Sequence, residues 1–482
     1  MRELPPGWVW TTLGEIADIG PGRDRSKIAP ATLVSFVPMA NVEAGTGVLD
    51  PSETREWQQV SKGYVPFSEG DVLFARITPC MENGKVALAR DLTNGLGAGS
   101  TEFHVVRARE SIEPVFLLHY LLQIRIRRDA RAVMQGAAGQ LRVPASFLQT
   151  LALQLPPLAE QRRIVAEIEK QFTRLDAATS LLAGVNQKLA KSIEGILSTV
   201  LLSRPEQSQT GGQSMSRRIR AERVLRGGSR DPLSPDNSLG LTVPKGWELM
   251  SLDELTTRIT SGSRDWSQYY GTGNGTFIMA QNVRRGRLDL SFKQPVDPPA
   301  EDSSVQRSAV QIGDLLITIV GANTGDTCGV LEELDQHYVC QSVALARPVL
   351  PQTSKYLMFW LLAPRAGVAY FNKCMYGQGR PHLGFDQIKR TPVVMPPLAA
   401  MDAIVARIED QLSLSEAAAL AVNKSLIRAA RLRQAILKKA FEGKLVPQDP
   451  NDEPASVLLD RIRAARAQSP ARRAPRRREV HA

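Results

Sequence analysis

The chain has 482 residues, 43% hydrophobic and 23% charged, enough for two or more domains with their own cores. No apolar run approaches the roughly 18 residues of a membrane span, and no signal-peptide core follows Met1-Arg2-Glu3-Leu4, so a cytoplasmic location with no membrane partner is expected. The net charge is +11, but residues 204–231 and 468–482 carry +4 each, leaving about +3 for the rest, a weak pointer to nucleic acid.

Residues 1–155 read as short, turn-broken mixed structure, with a strand at Asp71–Ile77 and a helix at Val115–Ile126. Pro156-Pro157 then opens a helix filling 156–204. Val165, Phe172, Asn186 and Ile193 share one heptad position and Ile168, Leu175, Leu182, Leu189 and Ile196 the other, the seam of a coiled coil. At ~1.5 Å per residue this helix is on the order of 65 Å long, so it needs a partner helix. A seam asparagine such as Asn186 costs stability and sets register. Residues 205–242, rich in Gln, Ser, Gly, Pro and Arg, read as a flexible linker with at most a helical turn at Arg217–Arg226. Residues 243–395 form a second mixed region, with a strand at Asp314–Val320 and a helix at Tyr356–Leu362. A second long helix, Leu398–Phe441 within 396–445, has the seam Val405, Ile408, Leu412, Val422, Leu426 and Ile436, with Ser415 and Arg433 interrupting it. Residues 446–482 hold a turn at Pro447 and Pro450, a short helix from Pro454 to about Ala467 and a basic tail.

The two halves repeat at offsets of 239 to 243 residues. Pro5-x-Gly7-Trp8 with Leu13 and Glu15 recurs as Pro244-x-Gly246-Trp247 with Leu252 and Glu254. Asn41-Val42 with Gly45 recurs as Asn282-Val283 with Gly286, Gly70-Asp71 as Gly313-Asp314, and Pro156-Pro157-Leu158-Ala159 as Pro396-Pro397-Leu398-Ala399.

No catalytic apparatus is legible. There is no G-x-x-x-x-G-K-[ST] loop, and Gly271-Thr272-Gly273-Asn274-Gly275 follows no apolar strand run. The five histidines form no H-E-x-x-H, and Cys328, His337 and Cys340 lack the spacing of a zinc finger, so no metal site is expected. The four cysteines are expected to be isolated reduced thiols. The polar loop residues make better sense as DNA contacts, because Arg reads guanine, Asn and Gln read adenine, and basic groups ride on phosphates. The candidates are Arg23, Arg25, Lys27, Arg76, Asn83 and Lys85 in the first region. In the second they are Arg264, Trp266, Gln281, Arg284, Arg285, Arg287, Asn323, Gln378, Arg380 and His382.

Two stretches carry a family resemblance. Pro156-Pro157-Leu158-Ala159-Glu160-Gln161 through Ile164-Val165 opens a long helix after a variable region. Leu432–Pro450 ends the second helix as Ala440-Phe441-Glu442-Gly443-Lys444-Leu445-Val446-Pro447-Gln448-Asp449-Pro450. With Pro-x-Gly-Trp heading each repeat, the chain resembles the DNA-specificity subunits of type I restriction–modification enzymes. The resemblance implies an α+β fold of two target-recognition domains separated by two long antiparallel coiled-coil helices, with pseudo-twofold internal repetition. It further implies a non-catalytic subunit that reads an asymmetric bipartite site in double-stranded DNA. Its helices would set the gap and dock two methyltransferase subunits, and restriction/translocase subunits would complete the complex. S-adenosylmethionine, ATP and Mg²⁺ would belong to the partners and no cofactor to this chain. Two departures stand out: Ala399-Ala400-Met401-Asp402 opens the second helix where the first has Ala159-Glu160-Gln161-Arg162, and the first helix ends without Ala-Phe-x-Gly. The alternatives are a stand-alone DNA-modifying enzyme and a coiled-coil scaffold that binds no DNA.

Overall fold

A computed structural model describes residues 4–22, 28–137, 139–202, 215–264 and 266–468. The chain forms two compact units, Met1–Leu182 with Lys424–Ala482 and Ala183–Asn423, so each contains a part of both long helices, Leu158–Leu202 and Leu398–Phe441.

In the first unit a four-stranded antiparallel sheet runs in the order Ala17–Ile19, Phe103–Ala108, Val72–Ala75, Val86–Leu88. Val72-Leu73-Phe74-Ala75 is buried at every position, as expected of a strand covered on both faces. A second sheet orders Thr54–Glu56, Leu33–Val37, Leu96–Gly99 and Val65–Ser68, with one parallel pairing between Leu33–Val37 and Leu96–Gly99. The ribbon of Val9–Thr12 and Ala152–Leu155 delivers the chain to the long helix. The second unit repeats this plan. Its main sheet is Thr256–Ser261, Val343–Pro348, Leu315–Thr318 and Thr327–Gly329; its smaller sheet again has one parallel pair, Tyr270–Ile278 with His337–Val339; its ribbon is Glu248–Ser251 with Pro392–Met395.

The recurrent Gly-Asp pair has a structural cause in both units. Gly70 and Gly313 turn at φ 83° and 88°. Asp71 and Asp314, 1% and 0% exposed, then meet a buried requirement for partners. Arg107 donates Nε and Nη2 to Asp71, each at 2.7 Å, and Arg347 does the same to Asp314, each at 2.7 Å. Each carboxylate also accepts a backbone N–H, from Ser68 at 2.7 Å and from Gln311 at 2.8 Å.

A further clamp closes the first unit around the start of the long helix. Trp8 Nε1 donates to Glu160 Oε2 at 3.0 Å, and Gln448 Nε2 donates to Glu160 Oε1 at 3.2 Å and to the Gly443 carbonyl at 2.8 Å. Gln161 donates to the carbonyls of Ser111 and Pro156 and accepts from the Glu113 N–H, and Arg163 pairs with Asp452 at 2.6 Å. Gly443 is required here: its φ is +68°, and a Cβ would lie 2.5 Å from Pro5 Cγ. In the second unit Ala400 and the buried Met401 replace Glu160 and Gln161, and Trp247 Nε1, buried, finds no acceptor among the described residues.

Three expectations need correction. Val115–Ile126 is two helices, Pro114–Leu121 and Ile124–Ala132, because Gln123 takes an extended conformation between them and donates to the Tyr120 carbonyl. From Met215 onward the expected linker is packed structure. Helix Met215–Leu225 puts Met215 and Ile219 into the second unit's core, and its buried Arg223 donates to the Thr256 carbonyl at 2.8 Å and lies 3.6 Å from Asp253. Residues 203–214 and the tail from 469 lie outside the described residues.

The third concerns the seam, which varies in depth. Ile168, Phe172 and Ile436 are buried in the first unit and Ile408 and Val422 in the second. Val165, Leu175, Leu182, Asn186, Leu189, Ile196, Val405, Leu412 and Leu426 are half-buried, and the Ile193 side chain lies outside the described residues. Ile168, Phe172, Ile436 and Ile408 are buried where a long helix also packs on the core of a mixed body, while Val422 is buried outside those cores. Arg433 completes rather than breaks it, lying 4.1 Å over the Phe172 ring and pairing with Asp176; since Glu160, at the start of the first helix, meets Gln448 beyond the end of the second, the two helices run antiparallel there.

Arg107→Ala leaves Asp71 as a buried unpaired charge and should lower the first unit's stability by about 3 kcal/mol or more, read as an earlier first transition in urea unfolding. Glu160→Ala orphans the Trp8 N–H and should cost about 1–3 kcal/mol. Burial raises the Glu160 carboxyl pKa, so the folded state holds that proton more tightly than the unfolded chain. Its contribution is therefore full below the ordinary carboxylate range and falls as pH rises through the raised value. Glu160→Gln, which keeps an acceptor for Trp8, should remove that fall in a comparison of unfolding at pH 4 and pH 7.

Candidate nucleic-acid interface

In the second unit, seven of the predicted contact residues fall on three neighbouring loops. The hairpin Val283–Arg284 with Arg287–Leu288 turns at Gly286, φ 77°, and leaves Arg284, Arg285 and Arg287 exposed. Buried Asn282 fixes its base, accepting from the Met279 N–H at 2.9 Å and donating to the carbonyls of Asp289 at 2.8 Å and Phe292 at 2.7 Å. The matched Asn41 of the first unit is half-buried and makes a weaker version of the same tie, Nδ2 to the Asp50 carbonyl at 3.4 Å. The Gly286 N–H donates to the Thr327 carbonyl at 2.8 Å, and Arg285 approaches Asp326 at 3.8 Å, joining the hairpin to the turn that carries Asn323. Burial raises the Asp326 carboxyl pKa against the opposing pull of Arg285. That turn donates from Gly321 N and Thr324 Oγ1 to the Pro381 carbonyl, at 3.1 and 2.9 Å, which brings in the 376–382 turn with Gln378, Arg380 and His382.

Arg264, Trp266 and Gln281 form a separate group around a cleft of about 550 Å³ that Tyr270 and Gln341 also line. Arg264 and Gln281 are exposed at its rim. Trp266 is not available to DNA. It is 2% exposed, stacks on Phe277 at 4.7 Å and donates Nε1 to Ser263 Oγ at 2.9 Å, so it is a core residue.

In the first unit Arg23, Arg25 and Lys27 lie outside the described residues. Arg76 is engaged by Glu102 at 3.1 Å, and Glu102 also takes Arg142, Nη2 to Oε1 at 2.8 Å; hydrogen bonding from Arg142 is the largest cause of its lowered carboxyl pKa. Lys85 donates Nζ to the Met39 carbonyl at 2.7 Å, while Asn83 is exposed. Arg142 was missed in the sequence. It occupies the place of His382: Ile77 bridges Arg142 as Val320 bridges His382. Tyr376, 56% exposed and stacked on His382, was also missed; its signal is an aromatic residue leading directly into Gly377-Gln378-Gly379. The first unit's hairpin, bridged between Val42 and Leu49, carries Glu43, Ala44 and Thr46 about Gly45 where the second carries three arginines about Gly286. The corresponding surfaces thus differ in charge while sharing a frame.

Among the described residues no three His, Cys, Asp or Glu side chains gather to hold a metal ion, and no helix is long and apolar enough to cross a membrane. Cys328 is buried in the second unit, which pushes its thiol pKa up to about 12.

Residues 5–191 match the family described as the type I restriction modification DNA specificity domain. The type I restriction enzyme EcoEI specificity subunit of Escherichia coli is 25% identical, the match covering 85% of this chain and 78% of that protein. The EcoAI specificity subunit of Escherichia coli is 26% identical with the same coverage, 85% and 78%. Among solved structures, a chain from a study of complex assembly and conformational transition in the type I R-M system superposes with a TM-score of 0.71 at 23% identity, covering 92% of this chain and 100% of that one. The HsdS subunit from Thermoanaerobacter tengcongensis gives a TM-score of 0.53 at 24% identity, covering 92% and 98%. The recurring frame, its exposed polar loops and these relatives agree: residues 5–191 match the DNA specificity domain of type I restriction modification systems, and most of the chain is similar to type I restriction enzyme specificity subunits.

Proposed function

We propose that each unit reads one half of an asymmetric bipartite sequence in double-stranded DNA, and that the long helices set the unread gap between the half-sites. The observation that carries this reading is one frame presenting different side chains at matched loop positions: Glu43 against Arg284, and Arg142 against His382. A shared frame positions a recognition loop, and differing side chains give it a different sequence to read. In this reading the chain is a non-catalytic cytoplasmic subunit. It binds no cofactor; two methyltransferase subunits docked on the helices supply S-adenosylmethionine and take the target adenine out of the duplex, and restriction/translocase subunits bring ATP and Mg²⁺.

Methylome sequencing of a host with and without the gene should show a gene-dependent motif of two unlike short half-sites about a fixed gap; a continuous or palindromic motif would refute the proposal, as would methyl transfer by the purified chain alone. Inserting one heptad into both long helices keeps the seam in phase and lengthens them by about 10 Å. The gap should then widen by about three base pairs, with both half-sites unchanged.

A further inference from the structure

We propose that Tyr376 and His382 form a base-stacking site, where the second unit lays an aromatic ring against a base of its half-site. This rests on the reading of that unit as a DNA-contacting domain. Tyr376 is 56% exposed, yet its backbone is held. It exchanges hydrogen bonds with His382 at 2.9 and 3.2 Å, His382 is bridged to Val320, and the intervening Pro381 carbonyl accepts from Gly321 and Thr324. The tyrosine and histidine rings lie 5.8 Å apart at 23°. With His382 stacked on one face, the opposite face and the edge of the Tyr376 ring remain for a planar ligand.

The surroundings suit a base rather than an apolar partner. Gly377 and Gly379, at φ 95° and 80°, put no side chain beside the ring, and a Cβ on Gly377 would lie 2.7 Å from the Arg380 carbonyl. Gln378 and Arg380 are exposed on the same turn, with Asn323 on the turn joined to it. In a duplex a base's π-face is open only where the stack is interrupted, as beside an adenine taken out of the helix for methylation; there a presented aromatic ring gains affinity by covering the exposed face, and a neighbouring arginine holds the adjoining phosphate. In the first unit the matched positions are Gln135 and Arg142, and Arg142 is already bound to Glu102. The stacking site therefore belongs to one half-site alone.

The test uses the assembled methyltransferase complex on a duplex carrying the motif found by methylome sequencing, with 5-iodouracil placed in turn through each half-site. Near-ultraviolet irradiation should give a cross-link that maps to Tyr376 from the second unit's half-site and from no position in the first. Tyr376→Ala should abolish it and weaken binding by about 5- to 150-fold, with the salt dependence of binding unchanged because no phosphate contact is lost. Tyr376→Phe should retain both the cross-link and the affinity. Arg380→Ala should instead reduce the salt slope by about one. The proposal is overturned if Tyr376→Ala binds within twofold of wild type, if no cross-link reaches Tyr376, or if Tyr376→Ala lowers the salt slope, which would mean the whole turn had collapsed. Should the wild-type complex show no site-specific binding, the DNA-reading function fails first; if wild type binds its site and Tyr376→Ala matches it, only the stacking site fails.

Discussion

A buried carboxylate must have its donors close at hand, and much of this molecule's frame follows from that requirement. Glu160, 1% exposed, draws Trp8 from the N-terminal segment and Gln448 from beyond the second long helix onto the first turn of the first. Three segments far apart in the chain meet at one side chain. Asp71 and Asp314 do the same inside the sheets, each gripping one arginine through two bonds and one backbone N–H. Such groups are costly to leave unpaired, so they fix where segments can go.

This accounts for the position of the repeated motifs. Pro-x-Gly-Trp, Gly-Asp and Asn-Val-x-x-Gly each couple a glycine at positive φ to a neighbouring residue turned inward: Trp8 and Trp247 into the core, Asp71 and Asp314 onto an arginine and a loop N–H, and Asn282 onto loop backbone. The loops they support differ between units, because exposed side chains are not constrained by packing. Family resemblance therefore rests on the frame, while the chemistry proposed for DNA reading rests on the loops. The second unit's departure at Ala400 illustrates the coupling: where the carboxylate is gone, Trp247 keeps its buried place but has no acceptor among the described residues.

The two units also show how one frame can hold different surfaces. The first spends Arg76 and Arg142 on Glu102, and its hairpin carries Glu43; the second exposes three hairpin arginines and a tyrosine stacked on histidine. A net charge of +11 says little about this, since much of it resides in residues 204–231 and 468–482.

Local order in the chain was enough for the repeat, the two long helices, the strands around Asp71 and Asp314 and the family resemblance. Each depends on spacing, periodicity or turn chemistry, and these are properties of adjacent residues. What a side chain touches depends on residues far away, and there the sequence was silent. Trp266 and Tyr376 are both aromatic residues in polar, loop-like stretches, yet Phe277 stacks against one and buries it while the other stands 56% exposed. Arg76 reads as a free cation until Glu102, distant in sequence, closes on it. The charged, linker-like segment after Met215 folds because Asp253 and the Thr256 carbonyl receive Arg223 while Ile219 enters the core. Burial and pairing are decided by the tertiary structure, since both are set by partners that composition and spacing do not name.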